Sequence, residues 1–195
     1  LPRCIDELLC MIPIDYYGES LVTIAIYKPL PLKINNSFLI NYFYKNKNHM
    51  MKKYKWNGTW ELDKFPNHIE REYYVSKNMS YKNYSNIFNK VLKIECESYE
   101  YIHMPPGYFM DIHIDAFCYG SRIGILLEGS ANLDFYDKEE EDFKYNCSYD
   151  YKYPMLFDIR KYHNVSNGDE WRLSFFFNFK ETYDIALKKL EYLWI

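Results

Sequence analysis

Tyr108-Phe-Met-Asp-Ile-His-Ile-Asp115 is the stretch from which the rest of the chain can be read. It reads as a strand over Tyr108 to Ile114, with a His-x-Asp at its end. On a strand, positions i and i+2 share a face. His113 and Asp115 therefore point into one cavity, while Ile112 and Ile114 face the other way. His163 lies downstream, and then Arg-x-Ser over Arg172 to Ser174. Two neutral imidazoles and one carboxylate hold a divalent ion without filling its coordination sphere. Such a set leaves three cis positions open on a non-haem Fe(II). Arg172 and Ser174 again share a strand face. A planar guanidinium grips a carboxylate with two parallel hydrogen bonds, and a hydroxyl adds a further donor.

Each residue has a plainer reading. His113 and Asp115 suit a surface strand end, His163 a buried ring satisfied by a backbone carbonyl, and Arg172 a surface salt bridge. Against the last, Arg172 is flanked by Trp171, Leu173 and Phe175 to Phe177, so its strand reads as buried. A buried arginine needs an anionic partner. Of the five histidines, His49 and His68 sit in polar, loop-like stretches, which leaves His163 as the best third ligand. His103, one strand earlier, competes with it and is expected to line the same pocket. Arg122, on the next strand, is expected to orient a co-substrate or substrate carboxylate; a strand-edge surface charge is the alternative.

Outward from the motif, residues 96–180 read as short strands split by turns. Strands are expected over Ser98–Met104, Arg122–Glu128, Ala131–Tyr136, Tyr153–Asp158, Tyr162–Ser166 and Arg172–Phe179. Pro105-Pro106-Gly107, Gly129-Ser130 and Asn167-Gly168-Asp169 are turns, and Asp137–Asp142 is an acidic loop. Many short strands with regular turn signals suggest a sandwich or barrel. Glu181 to Leu193 carries Ile185, Leu187, Leu190 and Leu193 near helical spacing and predicts a closing helix. Residues 1–95 read as an α/β support region. Leu21–Tyr27 is β-branched and strand-like, and Ser37–Phe43 is a short apolar run. Lys45–Lys55 is a solvated loop or helix face, and Tyr81–Val91 has helical spacing. At 195 residues one domain over 1–195 is expected.

Net charge is −3, so no basic stripe argues for nucleic acid. The five cysteines are odd in number and form no Cys-x-x-Cys pair. Reduced thiols in a cytoplasmic setting fit better than a disulfide framework. No apolar run approaches the roughly 20 residues of a membrane span. No basic-then-apolar leader stands near Leu1, so no secretory signal is expected. Oligomeric state is not readable.

The segment 98–179 resembles the catalytic core of the Fe(II)/2-oxoglutarate-dependent oxygenases, closest to the prolyl-hydroxylase-like or aspartyl/asparaginyl-hydroxylase-like branch. It carries His113-x-Asp115, then His163 after 50 residues, then Arg172 after nine more. The resemblance implies a mainly β fold with flanking helices, a double-stranded β-helix or cupin-like jelly roll. In it the His-x-Asp ends the second core strand, the distal His lies on the seventh, and the Arg on the eighth. It implies Fe(II) on His113, Asp115 and His163, with 2-oxoglutarate and O2 as co-substrates and ascorbate as a usable reductant. Arg172 and Ser174 would hold the distal carboxylate of 2-oxoglutarate, and Tyr101 would donate to it from the first core strand. Because Asp115 is a carboxylate, hydroxylation is expected rather than halogenation. The substrate, a small molecule or a polypeptide, is open. A non-catalytic cupin-like module that binds a metal or small ligand is the alternative, as is a metal enzyme that does not use 2-oxoglutarate.

Overall fold

The computed structural model describes residues 9–11, 27–30, 32–55, 72–76, 92–115, 120–136, 143–148 and 154–194. Strands β1 (Leu9–Met11), β2 (Tyr27–Pro29) and β3 (Leu32–Ile34) come first, then helix α1 (Asn36–Met50) and strands β4 (Met51–Lys55) and β5 (Glu72–Ser76). The core follows as β6 (Cys96–Met104), β7 (Phe109–His113), β8 (Ser121–Glu128), β9 (Ala131–Tyr136), β10 (Phe143–Ser148), β11 (Met155–Phe157), β12 (Tyr162–Asn167) and β13 (Arg172–Phe179). Helix α2 (Tyr183–Leu190) and a 3₁₀ turn (Glu191–Trp194) close the chain.

The eight core strands divide between two antiparallel sheets. β6, β8, β11 and β13 lie in one, in the order β11-β8-β13-β6; β7, β9, β10 and β12 form the other, in the order β10-β9-β12-β7. This division makes a double-stranded β-helix, in which β7 is the second core strand, β12 the seventh and β13 the eighth. The first sheet grows at its edges by β2 on one side and by β5 and β4 on the other, while β1 and β3 form a separate pair.

Two turns need backbone that β-carbons resist. Gly107, in the Pro105-Pro106-Gly107 turn between β6 and β7, has φ 63°, and Gly129, between β8 and β9, has φ 79°. A β-carbon on Gly129 would also lie 2.5 Å from the Trp171 carbonyl oxygen. Only glycine fits both demands at that corner.

Period-2 alternation puts two different cores on the two faces of the first sheet. Leu173, Phe175, Phe177 and Phe179 of β13 join Tyr99 and Tyr101 of β6 and Ile123, Ile125 and Leu127 of β8 under the helices. Met104, Leu126, Met155 and Phe157 face inward and meet Met110, Leu133, Phe135 and Val165 of the second sheet.

Several expectations shift. The apolar run at Ser37–Phe43 and the start of the basic stretch after it form one helix, α1. Asn35 caps it by accepting a hydrogen bond from the Phe38 amide at 3.1 Å. Leu39 and Phe43, four apart, are its buried stripe. In α2 the buried face is Tyr183, Ala186 and Leu190, and Ile185 is 49% exposed, so the apolar stripe is rotated from the one expected. β10 falls in a stretch for which no strand was expected. Tyr81–Val91, Leu21–Ile26 and the acidic run at 137–142 lie outside the described residues. No helix among those described is long and apolar enough to cross a membrane.

Candidate metal centre

β7 and β12 are neighbours, and their register sets His113 directly opposite His163. The two rings stand 4.4 Å apart between centroids. Asp115 follows two residues after His113 and turns its carboxylate to the same place. Asp115 Oδ1 is 3.5 Å from His113 Nε2, and its Oδ2 is 3.9 Å from His163 Nε2. The three donor atoms all lie within 4.8 Å of one another. The two measured separations exceed a hydrogen bond. Bonds of about 2.0–2.2 Å to a shared ion place two donors about 3–4.4 Å apart, and the 3.5 Å between Asp115 Oδ1 and His113 Nε2 falls in that span. The donor set thus fits a divalent ion.

Burial grades across the site. The His163 side chain is 6% exposed, that of His113 12% and that of Asp115 25%, so the site opens to solvent on the Asp115 side. Burial pushes His163 down to about 4; Asp115 opposes the shift and His113 adds to it. Its Nδ1–H donates to the Lys161 carbonyl at 2.9 Å. That contact selects the tautomer with the Nε2 lone pair turned to the site, the usual arrangement of a ligand histidine. Burial alone would raise the Asp115 carboxyl, but Arg122 and the two imidazoles overcome it and hold it well below the usual carboxylate range. Asp115 and His163 are therefore deprotonated at neutral pH, the form in which each binds a cation.

The short turn between β11 and β12 holds two of the three ligands at once. Its Ile159 carbonyl accepts the Asp115 backbone N–H at 3.0 Å, and its Lys161 carbonyl accepts the His163 ring. Asp158 closes the turn by accepting from the Arg160 amide at 3.2 Å. Such outer contacts fix the direction of the ligands.

Arg172 and Ser174 lie on the inward face of β13, opposite Met104 and Ile102 of β6. Arg172 is 3% exposed, and one of its terminal nitrogens donates to Met104 Sδ at 2.7 Å. A thioether is a weak acceptor, one that an anionic oxygen would outcompete. Ser174 is fully buried, and its Oγ has no hydrogen-bond partner among the described residues. Four residues of β12 separate His163 from the turn leading to Arg172, about 13 Å of strand. Val165, Leu133, Leu126 and Ile102 wall the interior there.

Three expectations are corrected. Tyr101 lies on the opposite face of its strand: its hydroxyl donates to the Leu39 carbonyl of α1 at 3.1 Å, and its ring packs on Phe43 and Phe175. His103 shares that outward face, between Phe43 and Trp171, and does not line the pocket. Both residues are odd-numbered on β6, while the inward positions Glu100, Ile102 and Met104 are even. Arg122 does face inward, but toward a metal ligand. Its three nitrogens reach Asp115 Oδ2 at 2.8 Å, Glu100 Oε1 at 2.6 Å and Asn178 Oδ1 at 2.7 Å. Glu100 and Asn178 were not singled out in the sequence. Their signal was a polar residue at an even position, the parity that Ser98 shares on β6 and Arg172 and Ser174 share on β13.

No protein-family model matches the chain, and no curated protein matches it. Among solved structures it is similar to an oxidoreductase of the 2OG-Fe(II) oxygenase family from Burkholderia pseudomallei. Identity is 10% and the TM-score 0.56, over 88% of this chain and 95% of that one. It also matches a Pseudomonas putida prolyl-4-hydroxylase at 12% identity and TM-score 0.44, over 86% of this chain and 99% of that one. A cupin superfamily protein from Desulfitobacterium hafniense matches at 10% identity and TM-score 0.36, over 66% of this chain and 97% of that one. At such identities the likeness is one of fold, and the fold this chain shares with the first of them is the double-stranded β-helix.

Proposed function

We propose that this protein is an Fe(II)/2-oxoglutarate-dependent dioxygenase, a hydroxylase acting on an amino-acid side chain, in a protein or free, or on a small metabolite. What supports this is a joint placement. Two imidazoles and a carboxylate converge on one point, and a buried guanidinium stands deeper in the same interior beside a hydroxyl that has no partner among the described residues. His113, Asp115 and His163 would hold the iron. Arg172 would bind the distal carboxylate of the keto acid through two parallel hydrogen bonds, and Ser174 would add a third donor. The apolar walls between them exclude water from the co-substrate. The exposed flank at Asp115 leaves a way in for substrate. Bound iron with 2-oxoglutarate and O2 supplies an oxidation in which one oxygen atom enters a substrate C–H bond and the other enters succinate, with release of CO2.

Protein loaded with Fe(II), with iron occupancy verified, is expected to release succinate from 2-oxoglutarate in the presence of ascorbate, slowly even without its substrate. Asp115→Ala should remove most of that signal. Iron-loaded wild type that binds 2-oxoglutarate yet makes no succinate with any candidate substrate would favour the non-catalytic cupin-like module.

A further inference from the structure

We infer that Arg122 is the positioning residue for Asp115, holding Oδ2 so that Oδ1 is the single carboxylate oxygen offered to the ion. This rests on the metal-centre reading above. A carboxylate that ligates through both oxygens would take up one of the positions a co-substrate and O2 require. A carboxylate with one oxygen engaged by a fixed donor keeps that position open.

The fixing is built across three adjacent strands. Register sets Arg122 of β8 beside Asn178 of β13, and Asn178 beside Ser98 of β6. Asn178 Nδ2 donates to Ser98 Oγ at 3.1 Å, which turns its Oδ1 toward Arg122. Glu100, two residues on from Ser98, takes the second terminal nitrogen at 2.6 Å. The Phe176 ring lies beneath the guanidinium, 4.8 Å from its central carbon to the ring centroid. With Nε on Asn178, one terminal nitrogen on Glu100 and the ring face of Phe176 below, the other terminal nitrogen reaches across to Asp115 in the segment after β7. Three acceptors in three directions suit a planar fork and not the point charge of a lysine. Arg122 is thus a fastener between the first sheet and a ligand carried by the second.

The probe is Co(II), followed by its dissociation constant and by its d–d absorption at saturating metal, with thermal melting recorded alongside. Arg122→Gln is expected to bind Co(II) about 10- to 100-fold more weakly, the range usual for loss of an outer contact to a ligand, and to show an altered spectrum when saturated. Glu100→Gln, which loosens the clamp without touching Asp115, should shift affinity in the same direction by less. Added guanidinium should restore part of the affinity lost in Arg122→Ala. A purely structural ion pair would lower the melting temperature and leave the saturated spectrum as in wild type. Folded Arg122→Gln with wild-type affinity and spectrum overturns this inference alone. If Arg122→Gln does not fold, wild-type Co(II) binding in Glu100→Gln overturns it instead. Co(II) uptake that His113→Ala does not weaken overturns the metal centre itself, and this inference with it.

Discussion

The two faces of β13 are buried to the same degree and built on opposite plans. All eight residues from Arg172 to Phe179 are buried. One face is Leu173, Phe175, Phe177 and Phe179, closed under the helices by dispersion and area alone. The other is Arg172, Ser174, Phe176 and Asn178, turned into the interior between the sheets. A buried polar group costs stability unless something satisfies it, so an inward face with a cation, a hydroxyl and an amide is not there for packing. Asn178 is satisfied by Ser98 and Arg122 within the protein. The Ser174 hydroxyl is satisfied by nothing described. The helix-side face makes the fold, and the inward face makes the site.

The sharpest test of that division is to damage each face and read both outputs. Phe177→Ala, at a ring 1% exposed against Tyr99 and Phe175, is expected to cost about 3–5 kcal/mol of stability. Denaturant midpoints measure the loss. At temperatures where the variant stays folded, its metal affinity should remain within a few-fold of wild type. A variant that kept its stability but lost the metal would invert the assignment of the two faces.

The inward core should also respond to pH through His163. Its ordinary value of 6.5 is pushed down to about 4 in the folded, metal-free protein by burial. The unfolded chain therefore takes up a proton at this residue before the folded one does. Above pH 6.5 both states are neutral there and the residue contributes no pH dependence. As pH falls from 6.5 through 4 stability is lost, by about 3 kcal/mol at 1.36 kcal/mol per unit. His163→Asn should flatten that part of the pH profile of metal-free protein. An unchanged acid slope would show that the ring is not held neutral by its surroundings.

Much of this division was written in the sequence, and some of it could not be read there. The strands β9 and β13 fall at the expected residues, because alternation and bounding turns mark them on both sides. The meeting of the three candidate ligands was legible because His113 and Asp115 stand two apart at the end of one strand signal. β10 was missed: Phe143-Lys-Tyr-Asn-Cys-Ser alternates apolar and polar as a half-buried strand does, but it follows an acidic run with no Gly or Pro turn residue to mark its start. Tyr101 and His103 were placed in the pocket because strand order was right and parity was not known. Which face of β6 turns inward depends on how Pro105-Pro106-Gly107 hands the chain over to β7, and composition does not encode that. The triple hold on Arg122 depends on the lateral register of β8, β13 and β6, which long-range pairing alone sets.

The inward face can then be tested without touching the metal ligands. Arg172→Lys keeps the charge and loses the two-pronged geometry. It should weaken 2-oxoglutarate binding by about 1.5–3 kcal/mol, the worth of a charge-assisted contact, with metal affinity unchanged in a titration without co-substrate. Ser174→Ala should weaken co-substrate binding by about 1 kcal/mol. It should also raise the stability of the free protein, because it removes a buried hydroxyl that no described partner satisfies. Two effects of opposite sign from one oxygen atom are hard to produce at a residue that only packs. If 2-oxoglutarate bound Arg172→Ala as tightly as wild type, the co-substrate anchor would lie elsewhere.

The smallest expected effect belongs to His103, and it isolates the question of faces. Its ring stacks on Trp171 at 4.5 Å and 21° and tilts against Phe43 at 5.2 Å. Burial pushes it down to about 4, with Lys47 acting in the same direction. At neutral pH it is an uncharged flat ring among aromatic neighbours. His103→Phe is close in shape, so stability at pH 7 should change by less than about 1.5 kcal/mol. Affinities for metal and for 2-oxoglutarate should not change, because the ring lies across the sheet from both. In acid the sign is set. Between pH 6.5 and 4 wild type loses stability as its unfolded state takes up a proton at residue 103 ahead of the folded state. The phenylalanine variant has no such proton, so its stability relative to wild type should rise as pH falls through that window. Urea midpoints at pH 7 and pH 5 measure the difference. A loss of metal binding in His103→Phe would place the ring in the pocket after all, and the two-faced account of β6 and β13 would fail together.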